Sequence, residues 1–174
     1  MLKYLFLMVV IMSIFGCSSS KDFYKTVDSV DMNRFMDRWY VIGGRLTTFE
    51  DGAHNAIESY SWNEKENRVD IDFTMRVDSF DGKLKSIPQK GWIQNSKTNA
   101  HWKISPFWPL KFNYLIIDLA EDYSWTVIGV PSQKWVWIMA KDWNMNPDDF
   151  DMIVSRIESM GYSTKDIIKV PQKW

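Results

Sequence analysis

Arg68-Val69-Asp70-Ile71-Asp72-Phe73-Thr74-Met75-Arg76 alternates without a break. Val69, Ile71, Phe73 and Met75 fall on one side of an extended chain; Asp70, Asp72, Thr74 and Arg76 fall on the other. A period of two predicts a β-strand with one buried and one wet face. The polar turn Asn63-Glu64-Lys65-Glu66-Asn67 joins it to Ala56–Trp62, a second strand. Outward from this hairpin the pattern repeats. Strands are expected at Arg38–Leu46, where Gly43 and Gly44 permit a bend, and at Lys85–Gln94, Ala100–Ser105, Phe112–Leu119, Trp125–Val130 and Trp135–Ala140. Asp81-Gly82, Asn95–Asn99, Ala120-Glu121-Asp122 and Pro131–Lys134 supply turn chemistry between them. No helix interrupts the series, which disfavours a parallel α/β sheet and points to an up-and-down barrel or a sandwich.

One helix follows the strands. Asn146 can cap it, Pro147 suits its first position, and Asp148 and Asp149 complement the positive end of its dipole. Phe150, Ile153, Val154 and Ile157 form a single apolar stripe, and Gly161 suits the position after its end. The stripe reads as a docking face against the sheet. A shorter helical turn is expected within Asp31–Asp37.

The chain has 174 residues and a net charge of −1, so no basic field argues for nucleic acid. Ten Trp, 10 Phe and 7 Tyr suit a strand-rich core. Cys17 is the sole cysteine, which excludes an intrachain disulfide and a cysteine-ligated metal. Lys3, the apolar run Tyr4–Met12 and the small residue Gly16 read as a secretory signal, too short to span a bilayer. Ile14-Phe15-Gly16-Cys17 resembles the bacterial lipobox, although Phe15 is larger than usual there. That resemblance implies lipidation at Cys17, and Ser18 in place of an aspartate implies the outer membrane of a Gram-negative cell, with the domain facing the periplasm. The expected divisions are a signal peptide at 1–16, a lipid-anchored linker at 17–27 and one domain at 28–174.

Asn33-Arg34-Phe35-x-x-x-Trp39-Tyr40-x-Ile42 resembles the first motif of the lipocalins. Phe49-Glu50-x-Gly52, Ala56-x-Glu58-x-Tyr60, Tyr114-x-Ile116-Ile117-x-Leu119 and Trp135–Lys141 are similar to later segments of the same family. Lys103–Pro109 and Gly161–Gln172 fit its bacterial outer-membrane lipoprotein subgroup, related to apolipoprotein D. Asp37 stands where a glycine is usual and Lys141 where an arginine is usual. The resemblance implies an all-β fold: an eight-stranded antiparallel up-and-down barrel, one C-terminal α-helix packed outside, and a cavity open at one end. It further implies that Trp39 and Lys141 meet at the closed end as a structural pair. A ligand would pass the Thr47–Asn55 loop at the other end.

In such a barrel, alternation points Trp39, Val41, Gly43, Ala56, Glu58, Tyr60, Val69, Ile71, Phe73, Met75, Trp102, Ile104, Trp135, Trp137 and Met139 inward. The candidate lining is Val41, Gly43, Ala56, Glu58, Tyr60, Ile71, Phe73, Met75, Ile104, Tyr114, Ile116 and Trp137. Apolar walls suit an acyl chain, whose burial supplies at most roughly 10 kcal/mol for a dozen methylenes at ~0.8 kcal/mol each. The same residues equally suit a filled core, since periodicity does not distinguish a hollow barrel from a solid one. Glu58 either aims a carboxylate into the cavity, ionised or protonated, or sits at a wet rim. Arg45 either pairs with an anionic ligand head or is an exposed rim residue.

His54 and His101 read as solvent-exposed, and no Ser-His-Asp order, metal-spaced histidines or phosphate-binding glycine loop is present. The expectation is therefore a lipid-anchored binding protein for fatty acids such as palmitate, or for lysophospholipids, serving storage, transport or scavenging. It needs no cofactor or metal and performs no catalysis; a homodimer remains open. Two rivals are an envelope interaction protein with a filled barrel and a lipocalin-fold enzyme acting on a lipid.

Overall fold

The computed structural model describes residues 25–174. The expected signal peptide, the lipidation site Cys17 and most of the linker lie outside them. A one-turn helix α1 (Met32–Phe35) leads into β1 (Asp37–Arg45), a 3-10 turn (Thr48–Glu50), β2 (Ala53–Asn63), β3 (Arg68–Val77) and β4 (Leu84–Ile93). Next come β5 (His101–Ser105), β6 (Phe112–Leu119), β7 (Trp125–Gly129), β8 (Val136–Ala140), α2 (Pro147–Ser159) and the two-residue β9 (Ile168–Lys169). Every strand neighbour is antiparallel; β1 pairs with both β8 and β2, so the first eight strands close into a barrel. The expected fold is thus the observed one.

Alternation separates two apolar clusters. Phe35, Trp39, Val41, Tyr60, Val69, Ile71, Phe73, Met75, Trp102, Tyr114, Ile116 and Met139 pack inside the barrel. Ile42, Leu115, Ile117, Val127, Val136, Ile138 and Ala140 face outward and receive Phe150, Ile153 and Ile157 of α2. Asn146 caps α2 as expected, its side chain accepting from the Asp148 N–H at 3.0 Å. Arg156 then fixes the helix by a bidentate pair with the buried Asp118, at 2.6 and 2.8 Å.

Two irregularities were not anticipated. β1 contacts β2 only over Asp37–Tyr40 and then diverges, with a register shift against β8 between Val41 and Gly43. The bulge adds a residue and reverses the parity beyond it. Gly43 therefore faces α2 and the chain end: an added Cβ would lie 2.5 Å from the Ile168 carbonyl oxygen and 3.0 Å from the Phe150 ring. Its expected place in the cavity lining is corrected on this ground. The C-terminal segment fills the gap left by the divergence. β9 pairs with Gly43 and Gly44, Val170 N donates to Ile42 O at 2.8 Å, and Gln172 Nε2 donates to the Val41 and Ala56 carbonyls. These backbone groups, which lack β1–β2 ladder partners, are satisfied by the strap instead.

β5 pairs with β4 only over Lys90–Ile93. The first half of β4 therefore has a free edge, which is where Pro88 sits; a residue without an N–H is tolerated there.

Candidate functional site: a half-open barrel cavity

The closed end is built by α1. Asp31 caps it, accepting from Asn33 N at 2.9 Å, while Arg34 lies 4.0 Å over the Tyr123 ring. This places Phe35, fully buried, inside the barrel against Trp39, Tyr60 and Trp102, with ring centroids 5.2, 5.6 and 5.5 Å away. Trp39 Nε1 donates to the Phe35 carbonyl at 2.7 Å. Lys141 Nζ lies 4.3 Å from the Trp39 ring centroid and donates to Met36 O at 3.0 Å. The expected Trp39–Lys141 pair is thus in contact. Half-burial holds the Lys141 ammonium below its ordinary pKa, with the nearby Asp37 carboxylate opposing that shift.

Toward the other end, the interior opens into a cavity of about 470 Å³, within the usual range for small-molecule sites. Its walls come from Phe73, Ile87, Ile104, Tyr114, Ile128 and Trp137, and its mouth from the Thr47–Glu50 segment, Phe107, Lys111, Phe112 and Trp135. The filled-barrel expectation is corrected for this half of the molecule. Apolar side chains stand exposed around the mouth, Phe49, Phe107 and Phe112 among them, and the Phe49 and Phe107 rings meet at 5.5 Å. A second, shallower depression of about 600 Å³ runs over the outer face of β2–β4. It is lined by charged residues such as Arg68, Asp70 and Lys90.

Of the expected lining, Glu58, Phe73, Ile104, Tyr114 and Trp137 face the cavity. Val41, Ala56, Tyr60, Ile71, Met75 and Ile116 are instead packed into the interior cluster with Phe35 and Trp102. Glu58 is not at a wet rim, one of the two positions considered for it. It pairs across the ladder with Trp39 and Phe73 and forms the polar floor of the cavity with Tyr114, while Tyr60 bonds to both from the interior cluster beneath. The Tyr60 hydroxyl donates to Glu58 Oε2 and lies 2.6 Å from the Tyr114 hydroxyl. Burial lifts the Glu58 carboxyl to about 7; the Tyr60 hydrogen bond opposes this and the charge of Glu50 adds to it.

Glu50, absent from the expected lining, organises the mouth. Its Oε2 accepts from Thr47 N at 2.9 Å and Thr47 Oγ1 at 2.7 Å; its Oε1 accepts from Trp137 Nε1 at 2.8 Å. The mouth loop is thereby tied to β8. The spacing Thr47-x-x-Glu50 is a capping-box pattern and is the signal that could have revealed it. Ile87 and Gln89 were missed because Pro88 obscures the alternation of β4.

Arg45 does not face the cavity; it approaches Asp166 at 3.9 Å. The histidines are half-buried and bonded rather than free in solvent. His54 Nδ1 lies 2.9 Å from Gly52 O, and His101 Nε2 lies 2.8 Å from Asn113 Oδ1.

Residues 30–172 match the family described as lipocalin-like domain. The chain is 22% identical to the outer membrane lipoprotein Blc of Vibrio cholerae, over 99% of this chain and 100% of the relative. It is also 22% identical to temperature-induced lipocalin-1 of Arabidopsis thaliana, over 85% and 82% of the two chains. Among solved structures, lobster apocrustacyanin A1 superposes with a TM-score of 0.64 at 15% identity, covering 83% of this chain and 81% of its own.

Proposed function

For a chain that belongs to the lipocalin-like domain family, we propose binding of a single-chain lipid, a fatty acid or a lysophospholipid, for storage, transport or scavenging at the bacterial envelope. Hydrophobic ligand binding follows from the family and the fold; the ligand class and the setting are this proposal's own content. One observation carries it: an apolar-walled cavity of about 470 Å³, closed at one end by Phe35 and Trp39 and open at the other. An acyl chain lies along Phe73, Ile87, Ile104 and Ile128, and a charged head stays at the mouth, where Lys111 is the sole cation among the described lining residues. Burial of the methylenes drives binding, offset in part by the ligand's lost freedom. No chemical step is part of this reading.

The setting rests on the lipobox resemblance at Cys17 and on the relative's being an outer membrane lipoprotein. The lipidated chain sits on the periplasmic side of the outer membrane. Two acyl signals or more are needed for stable anchoring. Cys17→Ser is therefore expected to move the protein from the outer-membrane fraction to the soluble periplasm.

Residues 25–174 hold the whole described fold, so the chain from Ser18 suffices for binding work. Extraction and mass spectrometry of the purified protein should recover a bound lipid. Palmitate and a lysophospholipid should each quench tryptophan fluorescence saturably, because Trp135 and Trp137 line the cavity. Absence of saturable binding by either lipid overturns the proposal.

A further inference from the structure

The cavity floor has a hydrogen-bond balance of its own. Glu58 and Tyr60 stand two residues apart on β2, on its inward face, and Tyr114 joins them from β6. Each phenol carries one proton. With Glu58 ionised, Tyr60 donates to Glu58, and Tyr114 donates to the Tyr60 oxygen at 2.6 Å. Both protons are then consumed within the cluster. What remains for the cavity is acceptor capacity: the second carboxylate oxygen of Glu58, whose hydrogen bonding among the described residues is limited to Tyr60, and the lone pairs of Tyr114.

Among the described residues no cation offsets this at the floor. Lys111, at the mouth, has its ammonium 4.1 Å from the Trp92 ring centroid. The other lining carboxylate, Glu50, is already engaged by Thr47 and Trp137. A plain methyl terminus against this floor leaves the second Glu58 carboxylate oxygen without a partner, and a carboxylate terminus meets like charge.

We infer that Glu58 and Tyr114, held from beneath by Tyr60, form a subsite for a hydrogen-bond-donating group, a hydroxyl or an ammonium, carried at the buried end of an otherwise apolar ligand. The inference rests on the cavity-binding reading and sharpens it. The preferred ligand is polar at both ends, with an anionic or zwitterionic head at the mouth and a hydroxyl or amine at the floor. A hydroxyl also suits the protonated form of Glu58, because it accepts as well as donates. A floor that bonds a hydroxyl removes the penalty of burying it, whereas an apolar floor leaves the hydroxyl unpaired.

The test compares ligands of one chain length on the chain from Ser18, at mildly alkaline pH. Decanoate and 10-hydroxydecanoate are titrated against tryptophan fluorescence with the wild type and with Glu58→Leu. In the wild type the hydroxy acid should bind at least as tightly as decanoate. In Glu58→Leu it should bind about tenfold more weakly than decanoate, as expected for a hydroxyl buried without a partner. Glu58→Gln supplies a second arm that conserves size: a wild-type preference for decylamine over decanol should disappear when the charge is removed. An ω-hydroxyl penalty of the same size in wild type and Glu58→Leu, or an amine preference unchanged in Glu58→Gln, overturns the inference and leaves the cavity reading standing. Failure of all four ligands to bind the wild type overturns both. Circular dichroism checks that each variant is folded, and the Glu58→Gln arm decides if Glu58→Leu is not.

Discussion

The closed and open halves of the barrel are made from the same strands with the same alternation, yet one is solid and the other hollow. At the closed end the inward side chains converge on a residue that belongs to no strand: Phe35, carried in by α1, meets Trp39, Tyr60 and Trp102. At the open end the inward residues Phe73, Ile104, Tyr114 and Trp137 line a space, and the neighbouring loop turns its Phe49 side chain outward. Whether a barrel interior is a core or a cavity is therefore decided by what is inserted between the strands. Glu58 marks the border. It is bonded downward to Tyr60, and its carboxyl also faces the cavity.

The sharpest way to break this contrast is to remove the plug. Phe35→Ala should cost about 3–5 kcal/mol, the range for deleting a large aromatic from a packed core. Urea unfolding measures it. A cost below about 1 kcal/mol would mean that the closed end is not the solid half.

The border residue comes next. The folded-state pKa of Glu58, about 7, lies above its ordinary value of 4.5. Between these values the native state binds more protons than the unfolded state, so stability falls as pH rises. The contribution is fully present below pH 4.5 and is lost as pH passes 7. At ~1.4 kcal/mol per unit the upper bound is about 3.5 kcal/mol. Urea midpoints should be higher at pH 5 than at pH 8, and Glu58→Gln should flatten the difference. An unchanged slope in that variant would remove Glu58 from the account.

The open end should respond through its loop. Trp137→Phe keeps an aromatic ring, though a smaller one, and removes the N–H that donates to Glu50. An unpaired buried carboxylate oxygen costs about 1–3 kcal/mol. The same change should expose the Thr47–Gly52 segment to limited proteolysis while leaving the closed end protected. Equal protection in variant and wild type would show that the indole does not hold the mouth.

These contrasts also explain which parts of the molecule were legible in the sequence. Val69, Ile71, Phe73 and Met75 announced a half-buried strand because nothing interrupts their pleat. The α2 helix was marked by Asn146, Pro147 and the stripe Phe150, Ile153 and Ile157, all of which act as expected. Gly43 was misplaced because its bulge is set by β8 and the C-terminal strap, both distant in sequence. β9 itself is two residues long and carries no periodicity. Glu58 was assigned to the inward face, but its depth depends on how far α1 reaches into the barrel, a tertiary quantity. The cavity walls on β4 were hidden by Pro88 and the polar Gln89, since a strand with a free edge and a ligand-facing side need not look apolar.

The smallest expected effect concerns Asp37, one of the two closed-end positions, with Lys141, that depart from the usual lipocalin pattern. Asp37 has a φ of +81°, in the left-handed region that glycine occupies freely. Aspartate is among the side chains that tolerate this conformation best, so the strain it carries is modest. Asp37→Gly should relieve it but also free the unfolded chain, for a net gain of about 1 kcal/mol or less. Asp37 has a second effect, because its charge opposes the burial that depresses Lys141. Asp37→Asn separates the two, keeping a side chain suited to left-handed φ while removing the charge. It should push the Lys141 pKa further down with little change in backbone strain. A lysine whose folded pKa is depressed gives stability that rises with pH from that value toward 10.5. The asparagine variant should therefore recover more stability on mild alkalinisation than the wild type, and a direct NMR titration of the Lys141 side chain should show the lower midpoint. An unmoved midpoint would mean that Asp37 serves the turn alone and that the Trp39–Lys141 contact holds its charge without help.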